Sequence, residues 1–133
     1  MSHVTDRLEI TDLVARLGRV LVERHFGELR TIYAPDAEAR GPRGELRGID
    51  EIVEVLQRTS PEEEKTQHLN TNVVVDLDGD RAEISASQLV YFFRAGQAPH
   101  RTAGVQTAYT AVRTPAGWRF AEATISPLWQ QAS

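Results

Sequence analysis

The chain has 133 residues, 41% hydrophobic and 26% charged, with 9 Gly and 6 Pro. That length and balance suit one folded domain spanning residues 1–133, with a core and one modest cavity, and exclude a disordered chain. The formal net charge is −4, and the fourteen Arg and single Lys (Lys65) are scattered between acids, which leaves no electrostatic footprint for nucleic acid.

The chain contains no Cys, which excludes disulfides, thiolate metal sites and a cysteine nucleophile, and fits a reducing, cytoplasmic setting. Its longest uncharged stretches, residues 102–112 and 123–133, fall short of the ~18 apolar residues a membrane span needs. Residues 1–7 carry no apolar run of the kind a signal peptide has.

In chain order, Ile10, Leu13, Val14, Leu17 and Leu21 recur at helical spacing and predict an amphipathic first helix, with Thr5 or Asp6 as its N-cap. Gly27 ends that pattern. Leu29, Ile32 and Tyr33 then predict a short second helix, closed by Ala34, Pro35 and Asp36. Residues 40–48 are punctuated by Gly and Pro and read as a hairpin or turn. Ile49, Ile52, Val53 and Leu56 form a third helical stripe, stopped at Ser60 and Pro61.

Beyond Lys65 the period changes. Residues 66–77 are β-branched and run into Asp78, Gly79 and Asp80, a strong hairpin signal. Residues 81–93, 102–114 and 118–126 read as three further strands, the last two joined by Pro115, Ala116 and Gly117. The expected architecture is α+β, with three N-terminal helices packed on one face of an antiparallel meander.

Strict alternation over residues 67–77 would put Leu69, Val73, Val75 and Leu77 on one face. The other face would carry His68, Asn70, Asn72 and Asp76. Two faces so different need different surroundings: either the polar one meets solvent, or it lines a polar cavity.

Several short segments, in order, carry a resemblance. They are residues 6–10, 26–29, 33–37, 48–52, 66–68, 77–82 and 117–120. Together they resemble the SnoaL-like polyketide cyclase group of the nuclear transport factor 2-like superfamily. The resemblance implies a cone-shaped α+β barrel, a curved antiparallel sheet around helices with a pocket at its wide end. It also implies cofactor-independent dehydratases, isomerases or cyclases alongside pure binding domains, and homodimers joined through the outer face of the sheet.

His68 is the leading catalytic candidate. Thr66, Gln67 and His68 resemble the segment that supplies a catalytic histidine in the scytalone dehydratase-like members, and imidazole can pass a proton both ways near neutrality. Where those members carry a Tyr-Asp pair late in the first helix, this chain has Leu21 and Val22. Gly104 to Gln106 occupy the region of their second histidine.

The substrate-binding candidates are Asn70 and Asn72, which share parity with His68 and could hold an oxyanion, and the phenols Tyr33, Tyr91 and Tyr109. Arg40 is a candidate anion anchor and Trp129 resembles a C-terminal lid aromatic; Trp118 reads as core. Of Gln106 and Thr107, on opposite faces of one strand, at most one meets the cavity. Glu62, Glu63 and Glu64 read as a solvated connection.

The four His are too dispersed for a local metal motif, and no nucleophile elbow, dinucleotide fingerprint or phosphate loop occurs. Two functions follow as expectations. One is a cofactor-independent lyase or isomerase acting on a small hydrophobic intermediate such as a polyketide or terpenoid, with His68 moving the proton. The other is a non-catalytic ligand-binding or dimerisation domain of the same fold.

Overall fold

The apolar stripe of the N-terminal segment forms α1 (His3–Glu23), which buries Ile10, Leu13, Val14, Leu17 and Val20. These positions recur every three or four residues, so one side of the helix leaves water while the other stays charged. The computed structural model describes residues 3–132. Neither Thr5 nor Asp6 is an N-cap, because both lie inside α1. Asp6 lies in the first turn, only 3% exposed, under Trp118 and Arg113.

The predicted second helix is a short 3-10 turn, Phe26–Thr31, followed by a strand, β1 (Tyr33–Gly41). Leu29 and Ile32 do pack inward as helical spacing suggests. The chain extends directly after Ile32, whose carbonyl oxygen accepts from Phe120 N at 2.9 Å. β1 turns at Pro42 and Arg43 into β2 (Gly44–Arg47), so the hairpin expected over residues 40–48 is present. Gly44 has φ 94, in the left-handed region where glycine carries no steric cost. α2 (Ile49–Thr59) follows, burying Ile49, Ile52, Val53 and Val55.

The remaining strands are β3 (Lys65–Asp78), β4 (Arg81–Phe93), β5 (Arg101–Thr114) and β6 (Gly117–Ala132). They form the expected antiparallel meander. The whole sheet is larger and mixed: six strands in the order β2-β1-β6-β5-β4-β3, with β1 parallel to β6. It curves around α1 and α2, giving an α+β architecture with β2 and β3 at its edges. Among the described residues no helix is long and apolar enough to cross a membrane.

β3 departs from the strict alternation expected over residues 67–77. Its pairing with β4 shifts between Thr71 and Val74, and Asn72 there has φ 53. One extra residue makes a bulge, and a bulge exchanges the two faces of a strand. His68 and Asn70 therefore share the concave face with Val73, Val75 and Leu77, which pack toward the core. Leu69 and Val74 lie on the outer face, 44% and 52% exposed.

The ends of the fold are tied at one corner. Arg113 donates to both carboxylate oxygens of Asp6 (2.9 and 2.8 Å) and to Asp80 (2.8 Å), while Trp118 Nε1 donates to Asp6 at 3.1 Å. The hydrogen bonds to Asp6, from Arg113 first and then Trp118, lower its pKa to about 2 from the usual 3.8. Because the folded value is depressed, the stabilisation is complete above the unfolded value and is lost as pH falls from about 4 toward 2. Thermal melts across that range should show wild type losing stability faster than Asp6→Asn; parallel curves would contradict this role.

Candidate active site

Between the concave face and the helices lies a cavity of about 830 Å³. α1 contributes Leu17 and Leu21, α2 contributes Ile52 and Leu56, and the sheet supplies Val90, Ala103, Val105 and Ile125. The wall is therefore largely apolar, and its few polar groups stand out.

His68 is one of them, placed in the wall by β3. Its Nε2 lies 3.1 Å from Thr66 Oγ1, two residues back on the same face, and its buried Nδ1 has no hydrogen-bond partner among the described residues. Burial lowers the His68 pKa below its usual 6.5, opposed in part by the neighbouring Gln88 side chain. With Leu17 and Leu21 as the cavity-lining residues of α1, no carboxylate from that helix supports a positive charge on the ring. The imidazole is thus neutral at pH 7, able to accept a proton.

Two phenols share the wall. Tyr33 enters at the start of β1 and Tyr109 from the middle of β5. Phe120 stacks on Tyr109 (ring centroids 4.4 Å apart, planes 12° from parallel) and meets Tyr33 edge-on at 5.8 Å. Burial raises both phenol pKa values, so both keep their protons and are able to donate a hydrogen bond.

The other candidates are placed as follows. Arg40 reaches the cavity rim, where it pairs with Glu38 (3.6 Å) and Glu45 (3.7 Å). Trp129 also lies at the rim, 48% exposed, its indole resting on Gly104, where a Cβ would collide with the ring. Asn70 sits behind the wall, accepting from Gln88 Nε2 at 3.1 Å. Gln88, not Asn70, lines the cavity. Asn72 is exposed at the bulge, and Tyr91 lies on the opposite face of β4 from Gln88 and Val90, so neither reaches the cavity. Thr107 faces inward but is sealed in the core, and Gln106 accepts from Ser87 on the outer face.

A family model described as a SnoaL-like domain matches residues 2–124. The chain belongs to the SnoaL-like domain family.

Solved structures give this SnoaL-like domain the same fold. The Kfla4162 protein from Kribbella flavida superposes with a TM-score of 0.87 and 23% identity, over 98% of this chain and 95% of the other. A hexachlorocyclohexane dehydrochlorinase (LinA) type 2 gives 0.87 and 17%, over 98% and 90%. A nuclear transport factor 2-like superfamily protein from Salmonella enterica gives 0.84 and 17%, over 95% and 93%. No curated protein sequence matches. The domain thus has the nuclear transport factor 2-like fold.

One polar cluster escapes a reading of single residues. Glu64 is not a solvated acid: its Oε2 lies 2.8 Å from His100 Nε2, and Arg101 donates to its Oε1 at 3.2 Å. Arg101 also donates to Gln130 at 3.1 Å and lies 3.7 Å above the Phe92 ring. The cluster joins the segment after α2 to β4, β5 and the end of β6 at the cavity mouth. Its hydrogen bonds each join residues 29 to 37 positions apart, which no local motif could reveal. The local signal is slight: His100 and Arg101 are adjacent basic residues where β5 begins.

Proposed function

We propose that this domain is a cofactor-independent lyase or isomerase, of dehydratase or cyclase type, acting on a small hydrophobic intermediate such as a polyketide or terpenoid. The observation that carries the reading is a buried imidazole sharing one largely apolar cavity with two buried phenols, burial favouring the neutral form of each. His68 takes a proton from a carbon next to a carbonyl. Tyr33 or Tyr109 holds the carbonyl oxygen, on which negative charge builds. In an elimination, the protonated imidazole returns its proton to the departing hydroxyl, which leaves as water and restores the neutral ring. In an isomerisation, the proton returns to another carbon. The dehydrochlorinase among similar structures is named for an elimination, and a scytalone dehydratase-like protein from Novosphingobium aromaticivorans shares the fold at a TM-score of 0.86 and 18% identity. Exposed Leu69 and Val74 on the outer face support a homodimer joined through the sheet.

The pH dependence follows from the sign of the His68 shift. A base with a lowered pKa is fully competent at pH 7 and loses activity only as pH falls through that lowered value, so the acid limb of kcat/KM should lie below pH 6.5. An acid limb above 6.5 would show that His68 is not the base, or that a carboxylate supports it.

A second reading, a non-catalytic ligand-binding domain, is favoured by one feature: α1 presents Leu17 and Leu21, not an acid, to the cavity. Native mass spectrometry of the purified protein, followed by assay of hydroxy-ketone and cyclic enone panels, separates the two. Turnover that depends on His68 supports the enzyme. A retained ligand that is never altered, with no turnover in the panels, supports the binding domain.

A further inference from the structure

The cavity mouth carries a charge opposite to that of the chain. Arg24, Arg40, Arg43, Lys65 and Arg101 line it against one carboxylate, Glu64, although the chain's formal net charge is −4. Glu64 is already matched by His100 and Arg101, and Arg40 pairs with Glu38 and Glu45. Among the described residues, Arg24, Arg43 and Lys65 meet no carboxylate.

Two of these cations converge on one segment. Arg43, at the tip of the β1–β2 hairpin, donates through Nε to Thr59 Oγ1 at 2.8 Å. Among the described residues, its two terminal amino groups make no hydrogen bond. Arg24, just after α1, donates to the carbonyl oxygens of Ser60 (2.7 Å) and Pro61 (3.2 Å), with its guanidinium 5.4 Å from the Phe26 ring. The chain thus uses the end of α2 to fix two guanidinium groups at the rim of an apolar chamber.

We propose that the cavity takes an apolar carboxylate, a small ring-bearing or branched acid whose hydrocarbon part fills the chamber and whose carboxylate is held at the mouth by Arg43 and Arg24. The proposal rests on reading the cavity as a ligand site and narrows the ligand to acids. A guanidinium offers two parallel N–H groups that match a planar carboxylate, and the free edge of Arg43 supplies them. The excess of cations at the mouth attracts the anion from solution and fixes the polar end outward. The reacting part of the ligand then lies inward, beside His68.

The test uses a matched pair, 1-naphthylacetate and its neutral analogue 2-(1-naphthyl)ethanol, with binding measured by calorimetry on the full chain. At low salt the acid should bind about tenfold or more tightly than the alcohol, the scale of a charge-assisted contact. The gap should shrink in high salt, because rim charges are screened. Arg24→Gln combined with Arg43→Gln should remove it and leave the alcohol's affinity unchanged. Equal binding of acid and alcohol to wild type overturns the proposal and leaves the cavity standing as a ligand site. Failure of both to bind overturns the proposal and the ligand-site reading together. Should the double variant not fold, as judged by circular dichroism, a salt-independent preference in wild type would still overturn the role of the rim cations.

Discussion

Replacing His68 by Ala is expected to lower turnover by about 100-fold or more, the usual scale for removing a general base. The cavity offers no substitute: α1 lines it with Leu17 and Leu21, Glu64 is engaged by His100 and Arg101, and the phenols are held protonated by burial. KM should change little, because the small imidazole is a minor part of a largely apolar wall. His68→Ala leaves a hole beside Thr66, so His68→Gln is the companion variant. It keeps polar volume but cannot take a proton at neutral pH, and it should be as inactive as the Ala form. Activity retained in His68→Gln would mean that the residue only positions the ligand, and the mechanism above would fail.

Phe120→Ala is expected to cost about 3–5 kcal/mol of stability, the range for truncating a buried aromatic. Phe120 is fully buried, and its backbone N–H donates to Ile32 where β1 meets β6. The ring lies against both cavity phenols, stacked on Tyr109 and edge-on to Tyr33. Losing it removes transfer energy and leaves a void beside the cavity floor. Phe120→Leu keeps most of the volume and should cost much less stability. It still lets the two phenols drift, so its activity should fall further than its stability does. Urea unfolding with parallel kinetics checks both variants. A Phe120→Ala cost below about 1.5 kcal/mol would show that the floor repacks and that the phenols are not held by this ring.

The sequence makes some parts of this structure legible and hides others, for identifiable reasons. Both α-helices and the β3–β6 meander follow from apolar period and turn chemistry, which are local: Asp78-Gly79-Asp80 and Pro115-Ala116-Gly117 mark their turns. β1 is hidden because Leu29, Ile32 and Tyr33 have helical spacing, while the strand after them holds its shape through parallel pairing with β6, far along the chain. The bulge in β3 rests on one residue in a left-handed conformation. The only sign of it is that Asn tolerates this better than most residues. Missing it sorts Leu69 with Val73 and brings Asn72 toward the site, although Asn72 is exposed. His68, Tyr33 and Tyr109 carry their chemistry in their side-chain type and could be named as candidates. Gln88 could not, because only the pairing of β4 with β3 brings it beside His68 and Asn70. The paired rim arginines are likewise invisible before folding, since Arg24 and Arg43 meet only through the end of α2.

The most direct test of His68 as a proton-moving base is hydrogen–deuterium exchange in D2O with a panel of small cyclic ketones and hydroxy-ketones, read by mass spectrometry. It needs no knowledge of the natural substrate, because removing a proton beside a carbonyl and returning a deuteron labels any ligand seated correctly. Wild type should label at least one member about 100-fold faster than His68→Gln. Equal rates for the two proteins, with the same compounds bound in the cavity, would contradict the account and leave the domain as a binding module.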